Sequence, residues 1–104
     1  MTTKKSINAK QAIRKVTGPI SFAEMLYSFR AANEISQVAF AEMLSISKQD
    51  LCNIEKGRKL VSVDRAKSFA EALGMPVKTF AKYALQDQLI AAGIIGEVEI
   101  KDVA

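Results

Sequence analysis

At 104 residues, with 49% hydrophobic and 25% charged side chains, the chain has the length and balance of one folded globular domain, with room for one core and little else. Its net charge of +4 is compatible with a nucleic-acid partner without requiring one. One cysteine, Cys52, and no histidine exclude an intrachain disulfide, a zinc site and a Cys-His nucleophile pair, and suit a reducing cytoplasm.

Residues 1–19 carry Lys4, Lys5, Lys10, Arg14 and Lys15 and no acid. No apolar stretch follows those lysines, so the segment is not expected to be a secretory signal. Ile7, Ala12, Ile13 and Val16 could line a short helix ended by Gly18-Pro19, or the segment could be a basic arm. No apolar run nears the roughly 18 residues needed to span a bilayer.

The first clear helix starts at Ser21, whose spacing to Glu24 predicts a capping box. Phe22, Met25, Leu26 and Phe29 form its apolar stripe to about Asn33. A second helix is expected from Ser36 to about Leu44, burying Val38, Ala41 and Leu44. A third runs from Ser47, with Asp50 predicted to complete another capping box, to Gly57, a residue common just past a helix end. A fourth spans Ser62 to Leu73, with Ala66, Phe69, Ala70 and Leu73 inward and Gly74 as its stop. A fifth begins near Pro76, tolerated in a first turn, and continues to about Ala91 with Phe80, Tyr83, Ala84 and Leu85 on its apolar face. The expected fold is therefore all-α: an arm over 1–19, a five-helix domain over 20–91, and a tail over 92–104.

That tail reads IIGEVEIKDV from Ile94 to Val103. Val98 and Ile100 alternate with Glu97, Glu99 and Lys101, which predicts a short strand where the segment is ordered. A lone strand would have no partner in its own chain; it could pair with a second subunit or another protein, or stay disordered. Glu97, Glu99 and Asp102 against Lys101 make it acidic, opposite in sign to the N-terminus.

The second and third helices, over residues 36–56, form a helix-turn-helix around Leu44-Ser45-Ile46. Such a unit lays its second helix in the DNA major groove. Ala41 is small where the helices must approach. Leu51 and Ile54 would anchor the second helix, leaving Lys48, Gln49, Cys52, Asn53 and Lys56 on the opposite face. Gln and Asn can pair with adenine, and Lys can reach guanine. Gln37, Ser47, Lys56, Arg58 and Lys59 are candidates for phosphate. Cys52, on that base-contacting face, reads as a small filler rather than a redox sensor, and Asp50 as a cap rather than an acceptor for cytosine.

These residues resemble the Cro/C1-type (XRE) helix-turn-helix family of phage repressors, plasmid regulators and antitoxins. The likeness runs from about Ser21 to Tyr83. It rests on Gln37, Ala41, the Ser47-Lys48-Gln49 start, Ile54-Glu55-Lys56-Gly57-Arg58, and Phe69 to Gly74. The resemblance implies that Gln37 contacts phosphate, that Lys48, Gln49 and Asn53 face bases, and that Arg30 and Glu55 form a salt bridge between the first and third helices. Ser45 stands where the family often carries Gly, so a positive φ there would strain it. The implied function is a cytoplasmic, non-enzymatic repressor that binds double-stranded DNA as a homodimer, with half-sites about 10 base pairs apart. The alternative is the antitoxin of a type II toxin–antitoxin pair, its acidic tail masking a basic toxin. No metal, cofactor or membrane contact is expected.

Overall fold

The computed structural model describes residues 20–103, so the expectation for residues 1–19 lies outside the described part. Among the described residues the fold is all-α, with five helices: α1 (Phe22–Ala32), α2 (Gln37–Met43), α3 (Lys48–Glu55), α4 (Val63–Leu73) and α5 (Val77–Ala91). Among the described residues no helix is long and apolar enough to cross a membrane.

Four of the starts are written as serines. Ser21, Ser36, Ser47 and Ser62 each accept a hydrogen bond on Oγ from the backbone N–H three residues on, at 3.0–3.1 Å. This satisfies one of the donors that a helix start leaves open, a contribution of about 1 kcal/mol per cap. At Ser21 the box is complete, because Glu24 Oε1 also accepts from the Ser21 N–H. At Ser47 it is half a box: the Asp50 N–H reaches Ser47, but the Asp50 carboxylate turns away to Lys59 and Arg65. A longer, charge-assisted pairing wins over the local bond.

The helix ends also share one device. A residue in the left-handed region follows each helix, and the next N–H reaches back to close the last turn, as in Ile35 to Arg30, Ile46 to Ala41 and Arg58 to Asn53. Gly57, Gly74 and Gly93 fill three of these positions, but Glu34 (φ 53°) and Ser45 (φ 59°) fill the other two. Ser45 is therefore strained as its sequence position suggested, and Glu34 is strained without any such warning.

Phe22, Leu26, Phe40, Ala41, Leu44, Leu51, Ile54, Val61, Ala66, Phe69, Ala70, Phe80 and Ala84 form one core. Phe22 is its hub, 5.7 Å edge-on to Phe80 and 6.4 Å from Phe69. It ties α1 to α4 and α5, while Phe29 stacks on Phe40 at 6.0 Å and ties α1 to α2. Met25, Phe29, Leu73 and Tyr83 pack around this centre, partly buried.

Val38 departs from expectation. It is 52% exposed, and Phe40 is the buried residue of α2 instead. Gln37, Phe40, Ala41 and Leu44 lie within one arc of a helix of 3.6 residues per turn, and Val38 falls on its flank.

The tail after Ala91 corrects a second expectation. No strand forms among residues 94–103, and the segment is not without a partner in its own chain. It lies back along α5, where Gln86 donates to the Gly96 carbonyl at 2.6 Å and accepts from the Val98 N–H at 2.8 Å. One carboxamide thus replaces the pair of bonds that a neighbouring strand would supply. Lys82 pairs with Glu97 and Lys78 with Asp102 along the same helix.

Candidate nucleic-acid interface

Three contacts fix how α3 is presented. Leu51 and Ile54 are fully buried and seat its inner face on the core. The Leu44-Ser45-Ile46 turn sets its angle to α2, with the Ile46 N–H on the Ala41 carbonyl at 3.0 Å and Ala41 buried beneath.

The third contact is a clamp at the far end. Arg30, in the last turn of α1, donates from Nε to Glu55 Oε2 at 2.7 Å and from Nη2 to Oε1 at 3.0 Å. Its remaining nitrogen, Nη1, donates to the Ile35 carbonyl at 3.1 Å. Gln37 Nε2 adds a third bond to Glu55 Oε1 at 3.1 Å. The Glu55 side chain is only 5% exposed, so its oxygens rely on these donors in place of water. The carboxylate in turn raises the Arg30 pKa by hydrogen bonding, against the opposing effect of burial. Arg30 also lies over the Tyr27 ring, 5.3 Å from its centroid. Four segments meet at this one cluster: α1, the α1–α2 loop, α2 and α3.

On the outer face of α3, Lys48 and Gln49 are exposed, and Cys52 and Asn53 are half-buried beside them. Gln49 Nε2 donates to Asn53 Oδ1 at 3.3 Å, one turn along the helix. That bond aligns the two carboxamides and leaves Gln49 Oε1 as an acceptor and Asn53 Nδ2 as a donor, the complement of the adenine edge. Lys56, Arg58 and Lys59 follow at the helix end, all exposed. Lys48, Lys56 and Arg58 have no ion pair among the described residues, whereas Lys59 Nζ sits 2.9 Å from Asp50 Oδ1.

Two of the phosphate candidates therefore have a side-chain donor already engaged. Gln37 spends a donor on Glu55, and Lys59 is held by Asp50. Ser47 accepts from Asp50, and its own hydroxyl proton remains available to a phosphate oxygen. Sequence reasoning missed Arg65, which reaches from α4 to share the Asp50 carboxylate and stacks over Phe69. Lys59 and Arg65 together hold the Asp50 pKa below the ordinary carboxylate range. Only the tertiary fold brings Arg65 there, so no local pattern announces it.

At the opposite end of α1, Asp87 Oδ2 accepts from the Phe22 N–H at 3.1 Å. Burial pushes the Asp87 pKa up, more than this bond lowers it, and nearby Glu24 pushes it further the same way. Among the described residues no cluster of three or more His, Cys, Asp or Glu side chains could hold a metal ion.

A family model described as helix-turn-helix matches residues 26–80, which includes α2, α3 and the clamp. No curated protein and no solved structure matches the chain. With more than half its length matched and a polar α3 face held outward by a buried anchor, the chain belongs to the Cro/C1-type (XRE) helix-turn-helix family of double-stranded DNA-binding transcription regulators.

Proposed function

We propose that this regulator is a sequence-specific repressor that binds as a homodimer and blocks polymerase at an overlapping promoter, its own first of all. The observation that carries this is the outer face of α3, where Gln49 and Asn53 are aligned by a mutual hydrogen bond between the exposed cations Lys48 and Lys56. Lys48, Gln49 and Asn53 would read base edges, with Cys52 filling space beside them. Gln37, Ser47, Lys56, Arg58 and Lys59 would hold phosphates, Lys59 in competition with Asp50.

One α3 helix covers too few bases for high affinity, so two copies on half-sites about 10 base pairs apart complete the reading. The chain then works in the cytoplasm, without cofactor or catalysis. The antitoxin alternative draws on the acidic tail. Lys78 and Lys82 already pair with Asp102 and Glu97, which leaves little acid for a basic toxin and favours the repressor reading.

Selection of binding sites from a pool of randomised duplexes tests this. A two-fold symmetric consensus with half-sites one helical turn apart is the expected result. A pool that stays random while binding the protein would reduce the function to non-specific backbone attraction.

A further inference from the structure

The tail carries unpaired strand chemistry. The helix rise from Lys78 to Gln86 is about 12 Å, and an extended chain from Val98 to Asp102 covers about 13 Å. Because Gln86 anchors Val98 and Lys78 anchors Asp102, the tail runs nearly straight along α5. In extended chain, alternate residues send their N–H and C=O to the same edge. Gly96 and Val98 face the Gln86 carboxamide, so Glu97, Glu99 and Lys101 present theirs to the other edge. There they have no backbone hydrogen bond among the described residues. An open edge of this kind is a template for another strand.

Side chains identify which strand fits. Among the described residues, Ile95 and Val103 are the most exposed large hydrophobic residues, at 92% and 96%. Charge does not call for a basic partner: Lys82 and Lys78 offset Glu97 and Asp102, and Lys101 lies 3.5 Å from Glu99. The segment is, however, complementary to itself. A two-fold axis at Glu99 sets Ile95 opposite Val103, Glu97 opposite Lys101 and Val98 opposite Ile100. Each of these pairs occurs twice; the axis also sets Glu99 against its own copy, a like-charge contact offset by the two Lys101 ammoniums, each 3.5 Å from the Glu99 of its own strand and opposite the Glu97 of the other. Moving the axis to Val98 opposes Glu97 and Glu99 in two places and sets Lys101 against Ile95, with no cation opposite either glutamate. Moving it to Ile100 sets Val103 against Glu97 and Val98 against Asp102.

We infer that residues 95–103 join two copies of the chain as an antiparallel ribbon centred on Glu99, with Gln86 holding the inner edge of each strand. This rests on the homodimer reading above and specifies its contact. Gln86 is a positioning residue: it is fully buried, and both halves of its amide are committed to the tail.

The test uses the full chain with Cys52→Ala, so that the only thiol is an introduced one. Glu99→Cys should cross-link to itself under mild oxidation, because paired Cα atoms across such an axis lie about 5.5 Å apart. Ile95→Cys alone should not, since its two copies would be about 27 Å apart, but it should link to Val103→Cys when the two proteins are mixed. Gln86→Leu should weaken dimerisation in sedimentation by about tenfold or more. A chain that sediments as a dimer yet links at Ile100→Cys, or at neither position, overturns the ribbon and leaves the dimer standing. A chain that stays monomeric, free and on DNA, overturns both. Tail protection that appears only when a second protein is added also overturns self-pairing and assigns the edge to that protein.

Discussion

Replacing Arg30 with Ala removes three hydrogen bonds at once: two to Glu55 and one to the Ile35 carbonyl. What remains is a carboxylate whose side chain is 5% exposed, with Gln37 as its residual donor. Breaking a buried ion pair from one side costs about 3–5 kcal/mol. Arg30 is itself 17% exposed and Gln37 stays in place, so the expected loss lies at or just below the bottom of that range, about 2–3 kcal/mol. For a domain of this size that corresponds to roughly 10–20 °C in Tm. Urea and thermal unfolding followed by circular dichroism supply the number. A double-mutant cycle with Glu55→Ala isolates the pair, and a coupling of about 1–3 kcal/mol is expected. The reasoning is refuted by an Arg30→Ala melt within about 2 °C of wild type, or by additive single substitutions.

Ser45→Gly and Glu34→Gly each relieve a left-handed residue, and each should raise stability by about 0.5–1 kcal/mol after the added freedom of the unfolded chain is subtracted; a fall in denaturation midpoint would contradict this. Asp50→Asn should lower Tm at pH 7. Because the folded Asp50 pKa lies below its unfolded value, its contribution is full above the unfolded pKa and lost as pH falls through the folded one, so wild type and variant should converge in acid. Asp87 has the opposite sign: its raised folded pKa makes the ionised form costly at neutral pH, so Asp87→Asn, which retains an acceptor for the Phe22 N–H, should gain stability at pH 7 and lose that advantage at acid pH. On DNA, Gln49→Ala should cost about 1–3 kcal/mol at the specific site only, whereas Arg58→Ala should weaken every sequence and flatten the salt dependence by about one unit; equal losses on specific and random DNA would remove Gln49 from base reading.

Local chemistry made much of the fold legible. Serines at 21, 36, 47 and 62 mark helix starts because the bond they make spans three residues, within reach of pattern reading. Gly57 and Gly74 mark ends for the same reason, while Glu34 and Ser45 occupy equivalent positions under a sequence disguise. The short α2 misled because seven residues give barely two turns of periodicity, and Val38 stood three positions before Ala41. The outer face of α3 followed from which residues had to be anchored. The Asp50 fork and the Gln86 pin were out of reach, since each depends on side chains brought together by the packed fold: Arg65 from α4 in one case, the returning tail in the other.

The most direct test of the central claim is a binding titration against the DNA immediately upstream of the chain's own gene, with random duplex as competitor, at two salt concentrations. The account predicts tight binding that survives the competitor and retains a preference for the upstream site at the higher salt. Binding that is weak, equal for both DNAs and lost together on raising salt would contradict it.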